Sequence, residues 1–497
     1  MRNLIIVCGL LFIETFYAGI CIAATYDEAE IAKLRKFLLQ ESAEPGKKNY
    51  QQLGMNSMDN IEWSSVRGLS WNSVNYHLER VRWQSSKLSG HLDFSDFEGL
   101  NYLVCSFNDI KSVNVTNSAK LQWLDIYTND LTEVDVTTNP SLDYLRLGYN
   151  NISSLDLSNN PYLRFLCCTN NKLETLDMSN KGYLETLYCV GNNFKSLNIE
   201  NCTRLEEFLC DFNRLEYLNL DNLSSLKSFS CTGNGMNDLR LFNCVSLEEI
   251  FCNNNELCNL DFSNCEFLSK IHCNNNNLTS INLKGCVNLT ELVCHNNLLH
   301  VLDVSDSPLL SSLSCRYNYL SFLTLPLPSD LLTEYAYAYA PQYNVEMECG
   351  YNNVDLNAFY MINDSISKYT WFYSYTTLTP KESNEGLFVF DESFIGETPY
   401  CLVQNKAFPM LVMRFDVNLL QGDVSNAKPE INKPAVYASE RTIHISSGAS
   451  AAVSIYAMDG MLLMKKKVEA GLTNIPFQRG VYVVVVNDNL RYKLIVR

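Results

Sequence analysis

The sequence predicts a right-handed solenoid with a parallel β-sheet on its concave face, followed by all-β sandwich domains. Three observations support this prediction. A period of 21 residues runs through the middle of the 497-residue chain. Each period contains a short alternation of apolar and polar residues, which is typical of a strand with one buried face. After the last period, short strand patterns alternate with turn residues, and a chain of this length is expected to form a repeat array or several domains.

The first residues have the composition of a secretory signal. Arg2 precedes an apolar run that ends at Ala23 and Ala24, and these are the parts of a cleaved signal peptide. We therefore predict a signal peptide at 1–24 and a protein that is secreted or held at the outer cell surface. No later stretch stays apolar over the roughly 20 residues that a membrane-spanning helix requires.

Residues 25–80 are predicted to form an N-terminal helix and a cap on the solenoid. Thr25 and Glu28 have the spacing of a capping box at the start of this helix. A solenoid needs such a cap because its first coil has no neighbour to cover it. The apolar face of the helix comprises Ile31, Leu34, Phe37 and Leu38.

Residues 81–326 carry the repeat. From Cys105 to Cys315, a Cys or another apolar residue recurs with a step of 21, and a Leu stands five residues before each. One coil cannot bury its apolar edge alone, so neighbouring coils stack and their strands pair in parallel. The unit L-x-x-L-x-C-x-x-N-x-L closely resembles the leucine-rich repeat, whose period is roughly 20 to 29 residues.

An asparagine stands three residues after each of these repeated positions. Where the chain turns off the strand, the side-chain amide can bond backbone groups of adjacent coils that the turn leaves unpaired. We therefore assign these asparagines a structural role. This asparagine ladder comprises Asn108, Asn129, Asn150, Asn171, Asn192, Asn213, Asn234, Asn255, Asn276, Asn297 and Asn318.

The repeated cysteines are predicted to be reduced thiols in the core. Side chains on neighbouring parallel strands point the same way about 4.8 Å apart, which does not give the crossed geometry of a disulfide. Cys244, Cys265 and Cys286, with Cys202 further back, are predicted to form a second buried column. Cys258 has no equivalent in the other repeats and is expected to be exposed.

Residues 327–420 contain Trp371, which is followed 30 residues on by Cys401. This segment resembles an immunoglobulin-like sandwich, in which a buried Trp lies beside the F-strand cysteine. The strand that would supply a partner cysteine contains none, so we expect a reduced Cys401 rather than a bond to Cys349. The module is expected to cap the far end of the solenoid, and residues 421–434 form a polar linker.

Residues 435–497 contain the segments VSIYAMDG at 453–460, GVY at 480–482 and KLIVR at 493–497. With these segments they resemble the carboxy-terminal sorting domain of the type IX secretion pathway. In that family the domain directs export through the outer membrane and is often removed during attachment to the cell surface. The alternative is a small terminal sandwich that has no role in sorting.

The sequence has no signature of an enzyme. Its 6 His residues lack metal-ligand spacing, and neither a phosphate-binding loop nor a nucleophile motif is present. We therefore expect no catalysis, no cofactor and no metal. The net charge of -17 argues against binding to nucleic acid or to anionic lipid, since both require clustered Lys and Arg.

The outward strand positions of the first repeats carry aromatic side chains, which form interface hot spots and also stack on sugar rings. We predict that this concave strip binds a protein from a host, a microbe or the cell envelope. A glycan ligand, a scaffold that associates with itself and coverage by the N-terminal helix are the alternatives. The oligomeric state is left open. The predicted ligand-binding residues are Tyr102, Trp123, Asp125, Tyr127, Tyr144, Arg146, Phe165 and Tyr188, and Phe107, Tyr149 and Phe212 extend the aromatic set.

Overall fold

The protein is described from a computed structural model. The predicted signal peptide and the linker 421–434 lie outside the described residues. The chain divides into a first compact unit, Met1–Asn213, and a second, Arg214–Arg497. The residues described are 26–263, 265–333, 336–420, 435–439, 442–447, 451–457, 462–468, 471–476, 480–486 and 490–496.

The first unit begins with the helix Glu28–Leu38. Its N-cap is Asp27, whose carboxylate accepts hydrogen bonds from the backbone N–H groups of Ala29 and Glu30, both at 2.9 Å. Asp27 therefore takes the place of the predicted Thr25, which lies outside the described residues. Asp is among the residues that best satisfy the unpaired N–H groups of a first helical turn. A second helix spans Asn49–Gln52, and a 3-10 turn spans Trp63–Ser65.

The helix Glu28–Leu38 packs against the start of the solenoid. The ring of Phe37 stacks on Trp83, with centroids 5.7 Å apart. The Glu30 carboxylate accepts the backbone N–H of Leu78 at 2.8 Å and lies 3.0 Å from His77 Nδ1. Burial raises the pKa of Glu30 despite these two bonds. The apolar first coil is thus covered by the helix.

The strands of the first unit form a mainly parallel sheet. It opens with an antiparallel pair, Leu69–Trp71 and Leu78–Arg82, and Leu78–Arg82 then pairs in parallel with Tyr102–Val104. Leu103 lies beside Leu124 and then Leu145, in a register that follows the 21-residue step. The remaining sheet strands are Trp123–Asp125, Tyr144–Arg146, Phe165–Cys167, Thr186–Tyr188 and Glu207–Leu209; a separate parallel pair is Ser89–Asp93 with Asp109–Asn114.

The second unit continues the same kind of coil, with strands that again pair in parallel and in register. Its strand column comprises Ser228–Ser230, Glu249–Phe251, Lys270–His272, Glu291–Val293, Ser312–Ser314 and Tyr337–Ala338. Two short parallel pairs accompany it, Tyr217–Asn219 with Asp238–Arg240 and Asn259–Asp261 with Ser280–Asn282. Each unit therefore contains a β-solenoid of the leucine-rich-repeat type.

Each asparagine of the ladder joins its own coil to the preceding one. Asn171 Nδ2 donates to the carbonyls of Cys168 and Leu147, both at 3.1 Å, and its Oδ1 accepts the N–H of Ile152 at 2.9 Å. One buried amide thus satisfies three backbone groups that the turn leaves unpaired. The same three bonds recur at Asn108, Asn129, Asn150, Asn192, Asn213, Asn255, Asn276, Asn297 and Asn318. Asn234 accepts the N–H of Leu215 and donates to the carbonyl of Cys231.

The repeated cysteines lie in the core of each unit. Cys105, Cys168 and Cys189 in the first unit and Cys252, Cys273, Cys294 and Cys315 in the second are buried and form no disulfide. Burial raises the pKa of Cys252 to about 12, so its thiol stays protonated. The second column is buried too: the thiols of Cys202, Cys244 and Cys286 donate to the carbonyls of Met178, Leu220 and Phe262. Cys258 is exposed.

The segment that follows the coils contains two small sheets. The five-stranded sheet has the order Val345–Gly350, Val412–Leu420, Tyr400–Gln404, Lys368–Tyr373, Thr376–Leu378, and only its first pair is parallel. The three-stranded sheet has the order Asn353–Asp355, Leu387–Val389, Glu382–Asn384. Trp371 of the first sheet contacts Phe388 of the second at 5.1 Å between ring centroids. Cys349 and Cys401 are buried and form no disulfide. Shorter elements are Met361–Ile362, Ser365–Ile366, Asn357–Phe359 and Glu392–Phe394.

The C-terminal strands form two further antiparallel sheets. Side chains of both sheets, including Ile443, Ile445, Val453 and Ile455, belong to one buried cluster. Among the described residues, no helix has the length and apolar character needed to cross a membrane. The sheets have the orders Ala435–Ser439, Thr442–Ser447, Gly471–Pro476 and Leu462–Val468, Ala451–Ala457, Gly480–Val486, Leu490–Val496.

Candidate ligand-binding face of the first unit

Four aromatic side chains on successive strands of the first unit form a continuous stack, the aromatic row of Tyr102, Trp123, Tyr144 and Phe165. The register places each ring beside the next. The ring centroids are 5.6 Å apart for Tyr102 and Trp123, 3.5 Å for Trp123 and Tyr144, and 4.3 Å for Tyr144 and Phe165. The last two pairs are within 5° of parallel.

Stacking leaves each of these rings half-buried. The two faces of Trp123 and Tyr144 are turned toward ring neighbours at both sides, so the part of each ring that reaches solvent is its edge. Burial, the largest contribution, raises the pKa of Tyr144. The row therefore offers a partner a line of ring edges with the spacing of the coils, about 4.8 Å.

Tyr188 ends the row at a neighbouring outward position. Its ring meets Phe165 nearly edge-on, at 5.7 Å and 83°. Its hydroxyl donates to a carboxylate oxygen of Glu207. Burial and this bond raise the pKa of Tyr188 to about 12.

Two guanidinium groups stand at the other end of the row. Arg80 and Arg82 lie over the ring of Tyr102, at 4.8 Å and 5.1 Å from its centroid. Both side chains are exposed, and within the described part of the chain neither takes part in an ion pair. A cation over an aromatic face is attracted to the negative charge of the ring's quadrupole, which favours these positions beside Tyr102.

An ion pair occupies the middle of the face. Arg146 Nη1 lies 3.4 Å from the carboxylate of Asp125, which is 8% exposed. The guanidinium also covers the ring of Tyr127 at 3.7 Å from its centroid. Gly148 makes room for this ring, because a Cβ there would stand 2.7 Å from its edge. Asp125, Tyr127 and Arg146 therefore form one interlocked group.

The rim aromatics, Phe107, Tyr149 and Phe212, are more exposed than the row, at 43%, 49% and 64%. Phe107 and Tyr149 contact opposite sides of Tyr127, at 5.5 Å and 5.1 Å between centroids. All three have a left-handed backbone, with φ of 57°, 55° and 53°. A bulky residue in this conformation is strained by about 1 to 2 kcal/mol.

Other coils fill the rim position with residues that adopt this conformation readily. The rim position is the second residue after the repeated Cys site, and six other coils have Asn170, Asn254, Asn275, Asn296 or the glycines at 191 and 233 there, all with positive φ. The two remaining coils have Thr128 and Tyr317, with φ of 54° and 53°. Asn and Gly tolerate the left-handed region far better than Phe or Tyr. The rim aromatics therefore carry a backbone strain that Asn or Gly at the same position would avoid.

The structure brings all eight predicted binding residues onto one face of the first unit. Sequence reasoning missed Arg80 and Arg82, which lie on the strand before the first regular repeat. The pattern of apolar and polar residues in Leu78-Glu-Arg-Val-Arg82 could have indicated them, because it places both arginines beside the inward Val81 and on the outward side of the strand. Sequence reasoning also did not predict that the rings of the aromatic row stack on one another.

The described residues contain no group of three or more His, Cys, Asp or Glu side chains able to hold a metal ion. The two histidines on the strand face of the second unit make ordinary polar contacts. His272 Nε2 lies 2.9 Å from a Glu291 oxygen, and His295 Nδ1 lies 3.1 Å from Ser314 Oγ.

The repeat geometry defines the class of protein: a leucine-rich-repeat-like β-solenoid with further β-sheets toward the C-terminus.

No family model and no curated protein matches the chain. Among solved structures, the functional domain of InlJ from Listeria monocytogenes, which includes a cysteine ladder, is 21% identical, covers 66% of this chain and 83% of its own, and gives a TM-score of 0.42. The leucine-rich repeat domain of APL1B is 21% identical over 51% of this chain and 77% of its own, with a TM-score of 0.40. The leucine-rich effector YopM from Yersinia pestis is 23% identical over 46% of this chain and 78% of its own, with a TM-score of 0.35. The assignment of the class rests on the 21-residue geometry described above.

Proposed function

We propose that this protein is a non-catalytic binding protein that recognises a protein partner through its aromatic face. This face comprises the aromatic row, Tyr188, the interlocked group of Asp125, Tyr127 and Arg146, and the rim aromatics. The carrying observation is the left-handed backbone at exposed Phe107, Tyr149 and Phe212. Strain at exposed residues persists where function uses it. Aromatic and Arg side chains are also the residue types that supply most of the energy of protein interfaces.

A protein partner suits this face better than a glycan. A sugar ring stacks on an aromatic face, and in Trp123 and Tyr144 both faces are directed at neighbouring rings. Ring edges and the gaps between them instead accommodate aliphatic and aromatic side chains. The open faces of the rim aromatics keep a glycan as the second candidate.

The N-terminal helix has its contacts elsewhere. Phe37 stacks on Trp83, and Lys33 Nζ donates to the carbonyl and hydroxyl oxygens of Ser95, at 2.6 Å and 2.8 Å. Neither Trp83 nor Ser95 belongs to the aromatic face. This favours an open face over coverage by the helix.

The described residues 336–420 support the proposal of an immunoglobulin-like module. The three-stranded sheet has the order of strands B, E and D in that fold, and the five-stranded sheet contains the order G, F, C, C′. Trp371 then stands on strand C, directly opposite Cys401 on strand F. In this proposal the module closes the end of the repeat region 81–326.

Export to the outer cell surface, with a signal peptide at 1–24 and a type IX sorting domain at 435–497, completes the proposal. The test is the mass of the mature chain recovered from the cell surface and the medium. Cleavage near Ala24 together with loss of the segment after Pro434 supports it. An intact chain recovered from inside the cell contradicts it.

Binding is tested on immobilised host-matrix and cell-envelope proteins beside a glycan array. The double variant Trp123→Ala with Tyr144→Ala is compared with the parent and with Phe251→Ala, a half-buried aromatic residue on the strand face of the second unit. We expect at least one immobilised protein to bind the parent and the control but not the double variant. Binding that survives the double variant rules out this face, and a signal confined to the glycan array selects the glycan.

A further inference from the structure

We propose that the partner segment read by the aromatic face is acidic as well as apolar, with its carboxylates on Arg80 and Arg82 and its apolar side chains along the aromatic row. This inference rests on the proposed function and names the chemistry of the partner. The Tyr102 end of the face is positively charged, in contrast to the chain as a whole.

The chain as a whole carries a formal charge of -17. On the outward strand positions from Arg80 to Phe165, the charged side chains are Arg80, Arg82, Arg146 and Asp125. A further carboxylate, Glu207, lies at the other end of the face and accepts the hydroxyl of Tyr188. Arg146 is neutralised by Asp125 at 3.4 Å, so the uncompensated charge is that of Arg80 and Arg82. A local positive patch on an acidic protein selects against basic partners and steers acidic ones.

The two guanidinium groups are held in a form that suits carboxylates. Each lies over the ring of Tyr102, at 4.8 Å and 5.1 Å, with an exposed side chain. This contact holds each group near Tyr102, and within the described part of the chain the N–H edges of neither group form an ion pair. Arg binds a carboxylate through two parallel N–H bonds along such an edge.

The cationic end and the apolar line are continuous. Tyr102 is at once the ring beneath the arginines and the first member of the aromatic row. Four strand-to-strand steps of about 4.8 Å separate Arg80 from Phe165, or about 19 Å. An extended peptide covers this distance with about six residues. A short segment can therefore place a carboxylate at one end and apolar side chains over the rest.

An anionic polysaccharide would also be drawn to Arg80 and Arg82. The covered faces of Trp123 and Tyr144 give it nothing to stack on, whereas the ring edges suit Leu and Phe side chains. The observations therefore favour a peptide, and a polyuronate serves as the competing probe.

The experiment measures the affinity of the full chain for fluorescent peptides of about ten residues, a length that exceeds the face. Four matched sets combine Leu and Phe with Asp and Glu, with Asn and Gln, or with Lys, and combine Asp and Glu with Ser. A polyuronate is the fifth probe. The protein variants are Arg80→Gln with Arg82→Gln, and Arg316→Gln as a control, since exposed Arg316 stands over Tyr317 at 5.8 Å on the second unit.

We expect the acidic apolar peptides to bind about tenfold tighter than the neutral apolar ones, because a hydrogen bond to a charged group contributes more than a neutral one. The advantage should vanish in the double Arg variant and shrink as salt rises, and Arg316→Gln should retain it. Equal or tighter binding of the neutral or basic apolar peptides overturns this inference and leaves the proposed function standing. Tighter binding of the polyuronate, lost in the double Arg variant, overturns both, as does failure of every probe to bind.

Discussion

The indole of Trp123 lies face to face with the phenol of Tyr144, with ring centroids 3.5 Å apart and planes 4° from parallel. The two residues are 21 positions apart in the sequence and are direct neighbours across a parallel strand pair. The contact is therefore a consequence of the repeat length. The pair also lies at the centre of the proposed binding face. Substitutions in it are therefore expected to affect both the stability of the fold and the proposed binding.

Removing both rings should reveal coupling between them. In a double-mutant cycle with Trp123→Ala and Tyr144→Ala, we expect a coupling of about 1 kcal/mol in the free energy of unfolding, the size found for aromatic pairs. Denaturant titration of the four proteins measures it. The control is Tyr162 and Tyr183, whose rings are 5.9 Å apart and tilted by 50°, and whose coupling should be smaller. Equal coupling in the two pairs would contradict a stabilising stack.

The asparagine ladder should be the most sensitive polar feature of the coils. Asn171→Ala leaves the carbonyls of Cys168 and Leu147 and the N–H of Ile152 without their side-chain partner. We expect a loss of about 3 kcal/mol or more, since each buried unsatisfied group costs about 1 to 3 kcal/mol. Asn275→Gly is the control: the side chain of this half-buried residue bonds only two other side chains, donating to Asn254 Oδ1 and accepting from Asn296 Nδ2, both at 2.7 Å. Its φ of 57° is one that Gly accepts. A loss below about 1 kcal/mol for Asn171→Ala contradicts the ladder's role.

Much of this face could be predicted from the sequence. Because the strands pair in parallel and in register, residues 21 positions apart in the sequence are neighbours in the sheet. The members of the aromatic row can therefore be found by stepping 21 residues along the sequence. Ring orientation could not be predicted, because the tilt of Trp123 depends on the side chains at both sides rather than on its position in the repeat. Arg80 and Arg82 were not predicted as members of this face, because their strand precedes the regular repeats and has the antiparallel neighbour Leu69–Trp71.

The left-handed rim was detectable in the sequence. The recurring Asn and Gly at that position indicate positive φ, and Phe107, Thr128, Tyr149, Phe212 and Tyr317 depart from this pattern. The pairing of the strands in 336–420 could not be derived, because alternation marks strands but leaves their order open. The helix start also shifted to Asp27, whose carboxylate accepts two backbone N–H groups.

Lys181 should be a site at which substitution stabilises the protein. It is 6% exposed, and its Nζ donates to the Leu157 carbonyl at 2.6 Å. The equivalent position one coil earlier is Asn160, whose amide donates to the carbonyls of Val136 and Asn139. Lys181→Asn removes a buried charge and keeps a donor, and we expect a gain of about 1 kcal/mol in the free energy of unfolding. An unchanged or lower value contradicts this.

The same variant should change the pH dependence of stability. Burial lowers the pKa of Lys181 below its ordinary value of 10.5. The unfolded chain therefore binds the proton more tightly than the folded chain, and stability falls as the pH falls from 10.5 through the lowered pKa. Denaturation at a series of alkaline pH values should show this slope in the parent and a smaller one in Lys181→Asn. Parallel curves would contradict the shift.

Thiol labelling should separate one cysteine from the rest. Among the described cysteines only Cys258 is exposed, and burial raises the pKa of thiols such as Cys252, to about 12, so they resist alkylation. In the native protein we expect rapid modification of Cys258 alone, located by peptide mass mapping. Unfolding without reductant should release the buried thiols to the reagent. A count near zero after unfolding would show that the cysteines are oxidised.

The rim aromatics should trade stability against binding. Phe107→Asn and Tyr149→Asn place at the rim a residue that accepts the φ of 57° and 55° found there. We expect each to raise the free energy of unfolding by about 1 kcal/mol or less, because relief of strain exceeds the loss of a contact with Tyr127. Each should weaken binding of the partner that the aromatic face recognises.

These opposite signs distinguish a contact residue from a structural one. A residue that only supports the coil would lower stability and binding together when replaced. The matched control is Asn254→Phe, which puts a Phe at the same position of the second unit, where φ is 57°. That variant should lose about 1 kcal/mol of stability and leave binding unchanged. If Phe107→Asn and Tyr149→Asn both destabilise the protein, the strain at the rim is not functional, and the observation that carries the proposed binding face is lost.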